Sequence, residues 1–381
     1  MRVLTTTKEL QAACREVAGA PFITVDTEFI RDSTYWPKLC LLQFAGPDTA
    51  LVVDTLAPKI DLGCFYDVLK NESIVKVVHA GRQDVEIFYH DAGVIPAPLF
   101  DSQVAAMACG FGDSVAYESL VKRLARVDLD KSQRFTDWAR RPLSQAQLDY
   151  AAADVIHLRT VYRALLKELQ RKKRESWLRE EMEILTRPST YELEPRDAWK
   201  RLKMRGNVRR NLGVLVEVAA WRENEARRLD VPRNRVLKDD AIQEIVAQRP
   251  TTPAEFKKLR LAPRNLQGAR VDSLLQAVAR GKTLPESELP ELPIARPQTE
   301  RNGALLDLLK VLLKIQCERH GVAQKLVATV PELEAIAVGD DAHVAAMGGW
   351  RYEVFGEWAL RLKRREIALG IDENGAAVIE L

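Results

Sequence analysis

Three apolar runs crowd into residues 22 to 55: "FITVDTEF", "LCLLQFAG" (39 to 46) and "ALVVDT" (50 to 55), the last two joined by the turn-forming "GPDT". Parallel neighbours need a crossover of a dozen or more residues, and these joins are too short to supply one. A meander of three antiparallel strands is therefore expected. Beyond it the pattern changes. An amphipathic stretch (62 to 70), the apolar run "SIVKVVHA" (73 to 80), a second amphipathic stretch (84 to 92) and "PLFDSQVAAMACG" (98 to 110) alternate helix with strand, which implies parallel strands covered by helices. The sheet is expected to be mixed, antiparallel early and parallel late. Residues 142 to 185 read as one long helix with Ser144 as N-cap, closing a first domain over 1–186.

A chain of 381 residues exceeds one ordinary core, so further domains are expected. The reading places a basic connector at 187–207, a helical domain at 208–283, a linker at 284–298 with prolines at 285, 290, 293 and 297, and a second all-α domain at 299–381. Charge follows this division. Residues 195 to 282 carry 21 basic against 10 acidic side chains, net +11, whereas the segments before and after carry 25 against 28 and 11 against 16. A basic module between two mildly acidic ones is the footprint of a polyanion binder. Five scattered cysteines, without Cys-x-x-Cys spacing, point to neither a disulfide framework nor a zinc site. No apolar run approaches a membrane span and the N-terminus lacks a signal peptide's features, so a cytoplasmic protein is expected. "GKT" at 281–283 is no phosphate-binding loop, because Gln276 stands where that loop needs glycine.

Two acids interrupt the first strand. Asp26 and Glu28 are two residues apart, so both side chains leave one face and can converge on one ion. Asp84 opens a helix at the C-terminal end of a parallel strand, where open sheets place their ligands. Tyr150 and Asp154, four apart in "DYAAADVIHL", stack a phenol and a carboxylate on one helix face, from which Asp149 is rotated away. Several carboxylates with no histidine or cysteine favour a hard cation held by oxygen, Mg2+ or Mn2+. Two-metal phosphoryl transfer needs such a set. Asp26 would bridge the ions, Glu28 and Asp154 would hold one, Asp84 would support the other, and Tyr150 would orient the attacking water. Asp54 and Asp101, also near strand ends, read as turn or cap residues.

"DTEF", "HAGRQD" and "YAAAD" resemble the three exonuclease motifs of the DEDD superfamily, in its tyrosine branch, and the context "ITVDTEFIRDSTYWPKLCLLQFAG" resembles ribonuclease D. His157 lies after the last aspartate, not before it as in the histidine branch. The stretch from Leu212 to Pro250 is similar to an HRDC domain, and the C-terminal region to a second, more divergent one. The resemblance implies a ribonuclease H-like α/β exonuclease domain followed by two HRDC-type helical domains. It implies a 3'-5' exoribonuclease with two divalent ions at Asp26, Glu28, Asp84, Tyr150 and Asp154, releasing nucleoside 5'-monophosphates. RNA with a free 3' end, such as tRNA precursors or other small structured RNA, would be the partner, and a monomer suffices. An idle nucleic-acid-binding protein and a DNA exonuclease with the same site are the alternatives.

For substrate contacts the connector "RDAWKRLKMRGNVRR" offers a phosphate path, with Lys203, Arg205, Arg209 and Arg210 at its centre. Phe29, beside the first motif, is a candidate for stacking on the terminal base, with core packing the alternative because it falls on the opposite strand face from the acids. His79, ahead of the Asp84 helix, is a candidate substrate contact.

Overall fold

The structure, a computed structural model, describes residues 1–202, 208–263, 266–291, 303–373 and 375–381, with the side chains of 208–210 outside that description. The N-terminal part runs β1 (Arg2–Leu4), α1 (Thr7–Val17), β2 (Phe22–Ile30), β3 (Lys38–Ala45), β4 (Ala50–Val53), α2 (Gly63–Lys70), β5 (Val75–Val78), α3 (Arg82–Ala92), β6 (Leu99–Asp101), α4 (Ser102–Cys109) and α5 (Tyr117–Leu120). Its strands form one sheet in the order β1-β4-β3-β2-β5-β6. The expected meander is there: β2, β3 and β4 pair antiparallel. The later strands β5 and β6 join in parallel, and β1 pairs parallel with β4 at the opposite edge.

A capping box at Ser144 and Gln147 starts α6 (Gln145–Lys172). The single helix predicted over 142–185 is in fact two, because Lys173 adopts the left-handed conformation (φ 55°) and α7 (Glu175–Leu185) begins after it. Arg174 supplies the reason. Its buried guanidinium donates to the carbonyls of Ala108 (2.6 Å), Gly321 (2.8 Å) and His320, contacts that a continuous helix would not place together.

A 3-10 segment (Pro195–Arg201) leads to a middle helical unit: α8 (Val208–Leu229), α9 (Arg233–Val236), α10 (Asp239–Gln248), α11 (Pro253–Lys257) and α12 (Ala269–Thr283). It has a core of its own, including Leu212, Val218, Ile242, Leu274 and Val278. Helices α8 and α12 meet at two glycines. A Cβ on Gly213 would lie 2.3 Å from the Gly281 carbonyl oxygen, and one on Gly281 would lie 2.5 Å from Val214 Cα, so only glycine allows this approach.

The β2–β3 loop reaches into this unit. Tyr35 is buried in the second core, and the backbone N–H groups of Tyr35 and Trp36 both donate to Asp230 Oδ1, at 3.0 and 3.1 Å. The Tyr35 hydroxyl donates to Glu223 and accepts from Arg227 Nε (3.1 Å) and Arg233 Nη2 (2.9 Å). Trp36 stacks on His90 of α3 at 3.7 Å.

The C-terminal segment contains α13 (Gly303–His320), α14 (Gln324–Val327), α15 (Val330–Val338), α16 (Gly349–Arg351), α17 (Glu357–Lys363) and an antiparallel hairpin of β7 (Ile367–Asp372) and β8 (Gly375–Glu380). The hairpin corrects the all-α expectation for 299–381. Leu309, Leu312, Leu333 and Phe355 belong to the same contiguous hydrophobic cluster as the sheet's own Ile23, Val77 and Phe88. The chain therefore leaves the sheet domain, builds the middle unit, and returns to pack on the sheet domain. Trp177 of α7 stacks on Trp350 of α16 at 4.1 Å across that contact. Positions 292–298 of the expected linker lie outside the described residues. Among the described residues no helix is long and apolar enough to cross a membrane.

Candidate active site

Strand β2 sets up the site by simple alternation. Asp26 and Glu28 leave one face and Thr27 the other, while a β-bulge between Glu28 and Phe29 breaks the register with β3 just past the acids. Helix α6 packs on β2, β3 and β4 and brings Asp154 to the pair. Asp26, Glu28 and Asp154 each offer a carboxylate oxygen, and these atoms lie within 4.8 Å of one another. Asp84, in the first turn of α3, is buried, and its Oδ1 accepts a hydrogen bond from the Thr27 hydroxyl. The residue between the two strand acids thus anchors the fourth carboxylate.

Three half-buried acids in one cluster, with the buried Asp84 outside it and off the cleft wall, resist ionisation. Burial first, then the Asp154, Asp84 and Glu28 charges, hold Asp26 well above the usual carboxylate range. Burial and then Asp154 and Asp84 push Glu28 up to about 8. Asp154 rises to about 7, through burial and then Glu118. Asp84 rises only to about 6, since the Thr27 hydroxyl opposes the effect of burial. A site that disfavours its own negative charge gains most when a cation neutralises it, and a donor set made of carboxylate oxygens suits a hard divalent ion. Tyr150 sits one turn before Asp154, and burial followed by the Asp154 charge raises its phenol pKa, so it remains a proton donor. Opposite Asp26 on β3, Gln43 is fully buried, and its amide nitrogen and oxygen have no partner among the described residues.

A cleft of about 520 Å³ opens over these groups. Asp26, Glu28, Tyr150, Asp154 and His79 line it, together with Tyr117, Glu118, Lys131 and Arg134. The sequence reading missed the last four. Lys131 and Arg134 come from "DLDKSQRF", a polar stretch between helices whose only signal is two cations three residues apart. Lys131 pairs with Glu118 at 2.6 Å, and the Tyr117 hydroxyl donates to the Asp154 carbonyl at 2.6 Å, tying α5 to the helix that carries the third motif.

The other candidates fall as follows. His79 Nδ1 lies 3.0 Å from Ser102 Oγ, and burial lowers its pKa, which favours the neutral ring. Phe29 packs against the main core and does not line the cleft, as its strand face dictates. Asp101 caps α4 and also accepts from the N–H groups of Ala80 and Gly81, while Asp54 forms a turn and a two-point ion pair with Arg141. Lys203 and Arg205 lie outside the described residues, as do the side chains of Arg209 and Arg210. Earlier in the connector, Arg196 pairs with Glu217 and Lys200 with Asp197, at 3.5 and 2.8 Å, whereas Arg201 has no ion pair among the described residues.

The chain resembles known proteins along its whole length. Residues 1–170 match the 3'-5' exonuclease family and residues 211–278 the HRDC domain family. Ribonuclease D of Nitrobacter hamburgensis is 50% identical over 382 residues, covering 100% of both chains, and that of Jannaschia sp. is 49% identical, covering 99% of both. The crystal structure of Escherichia coli RNase D, described as an exoribonuclease involved in structured RNA processing, superposes with a TM-score of 0.81 at 29% identity, covering 96% of this chain and 98% of that one. With its exonuclease and HRDC regions in the same order and its relatives matched end to end, the chain belongs to the ribonuclease D family of 3'-5' exoribonucleases.

Proposed function

We propose that this exoribonuclease hydrolyses RNA from its 3' end by a two-metal-ion mechanism, with Asp26, Glu28, Asp84 and Asp154 as the metal-holding acids and Tyr150 beside them. The observation that carries the reading is the convergence of three carboxylates from two elements within 4.8 Å, in a cleft wide enough for a nucleotide. Mg2+ or Mn2+ bound there would supply the charge that lowers the pKa of the attacking water and neutralises the leaving oxygen. The protein's own groups do the rest. Tyr150, kept protonated, orients the water. Lys131 and Arg134, on the cleft wall opposite the acids in charge, bind the scissile phosphate or its neighbour. Thr27 keeps Asp84 ionised at neutral pH.

The product is a nucleoside 5'-monophosphate, and the substrates are 3' ends of structured RNA such as tRNA precursors, a reading supported by the resemblance to a processing exoribonuclease. One chain carries every acid of the site, which supports a monomer. Five free cysteines and the lack of a membrane-spanning helix among the described residues support a cytoplasmic location.

The test uses 5'-labelled tRNA precursor with a single-stranded 3' tail, incubated with Mg2+ or Mn2+ beside EDTA and Asp26→Ala/Asp154→Ala controls. A ladder shortening from the 3' end, absent in both controls, is the expected result. Intact RNA with wild-type protein would overturn the reading, and equal degradation of a matched DNA would remove its RNA selectivity.

A further inference from the structure

Between the β2–β3 loop and the middle helical unit lies a second cleft, of about 400 Å³, separate from the one over the acids. Arginines from three parts of the chain line it: Arg31 just past β2, Arg201 at the end of the 3-10 segment, and Arg222 and Arg233 on the middle unit. Glu223 and Asp239 are the acids in its wall. Three of the four cations already have a carboxylate. Arg31 makes a two-point pair with Glu86 (2.9 and 3.0 Å), Arg233 pairs with Glu223, and Arg222 Nη1 pairs with Asp239. Counting all three acids, one positive charge is in surplus, and Arg201 carries it with no ion pair among the described residues.

The second observation concerns Arg222. It is only 4% exposed, yet its buried Nε has no hydrogen-bond partner among the described residues. Arg222 lines the cleft, and its only acceptors among the described residues, the Leu237 carbonyl and Asp239, both take Nη1, so the rest of its fork is left for a ligand. Beside an unpaired Arg201, an oxygen-rich anion satisfies both deficits. Arginine suits phosphate best, since its planar fork pairs with two oxygens at once.

We propose that this interdomain cleft is a phosphate-binding site, formed jointly by Arg201 and Arg222, whose ligand is a backbone phosphate of bound RNA or a free phosphate anion. The RNA form of the proposal rests on the function argued above. In that form the cleft holds the substrate upstream of its 3' end, on an extension of the strand that carries Asp26 and Glu28. Arg31 lies three residues beyond Glu28, about 10 Å along an extended chain.

The experiment titrates full-length protein with a fluorescein-labelled single-stranded RNA in EDTA, where hydrolysis cannot confuse binding, and repeats the titration across a salt series. Arg201 is exposed, so Arg201→Glu tests the site without a folding risk; Arg222→Lys, which keeps the charge but loses the fork, is the second variant. The expected result is a roughly tenfold weaker affinity for Arg201→Glu. It comes with a fall of about 0.7 in the slope of log K against log salt, the signature of one lost single-strand phosphate contact. A parallel arm measures inorganic phosphate and pyrophosphate binding by calorimetry. Loss of that binding in both variants, with RNA affinity unchanged, assigns the site to a free anion. Variants indistinguishable from wild type in both arms overturn the proposal, while hydrolysis by the wild-type protein would still stand.

Discussion

Replacing Thr27 with valine separates the role of one hydroxyl from the fold around it. Thr27 is buried on the strand face away from the acids, and its hydroxyl donates to Asp84. A hydrogen bond to a charged group is worth about 1.5–3 kcal/mol, and one pKa unit corresponds to 1.36 kcal/mol, so losing the bond moves Asp84 up by roughly one to two units. From about 6, Asp84 would come to lie between about 7 and about 8. At about pH 6.5 the ionised fraction then drops roughly eightfold for a shift of about 1.5 units, whereas near pH 8.5 both proteins are mostly ionised. Because a proton and a metal ion compete for the carboxylate, the measurement is the Mn2+ concentration needed for half-maximal RNA hydrolysis at those two pH values. Thr27→Val should need several-fold more Mn2+ at the lower pH and approach wild type at the higher one. A requirement equal to wild type at both pH values, or a defect of the same size at both, would refute the idea that Thr27 acts through the protonation of Asp84.

Tyr150→Phe keeps the ring that lies 6.0 Å from Trp138 and should lower kcat about 10²-fold with little change in KM, as measured by single-turnover kinetics. Metal-free protein should become less stable as pH rises from about 4 to about 8. Acids whose folded pKa is raised hold more protons than the unfolded chain does in that window, and that stabilisation is lost as Glu28 and Asp154 ionise at about 8 and about 7. Added Mn2+ should reverse the trend in a thermal-shift series, and a metal-free melting temperature that climbs with pH would count against it. Arg174→Met strands three carbonyls and should cost about 3 kcal/mol or more, visible as a lower urea midpoint. Gln43→Leu removes an amide with no partner among the described residues, so stability should hold or rise. A fall in its kcat would place that amide in the support of Asp26.

The parts of the site that were legible in the sequence share one property: their geometry repeats locally. Asp26 with Glu28 and Tyr150 with Asp154 follow from the periods of a strand and a helix, and the meander follows from its short joins. What escaped depends on distant partners. Nothing in "DTE" says that the middle residue reaches Asp84, 57 positions away. Lys131 and Arg134 sit in a stretch without periodicity, so no face could be assigned to them. The break at Lys173 has no glycine or proline to mark it, and "QRKKRESW" continues a plausible helical pattern; only the carbonyls of Ala108, His320 and Gly321 stop it there. The terminal hairpin left only a faint mark: Asn374-Gly375, a common turn dipeptide, stands between two short apolar runs that do not alternate.

The return of the C-terminal helices to the sheet domain changes how the middle unit must be regarded. It is held at both ends by segments anchored in one shared core, much as an inserted domain is held by its host. Tethers of that kind turn docking into an intramolecular event, with an effective concentration set by their length. The Tyr35 contact can therefore be individually weak and still be occupied nearly all the time. A middle unit supplied as a separate molecule would have to reach comparable concentrations to stand in for the one the chain already carries.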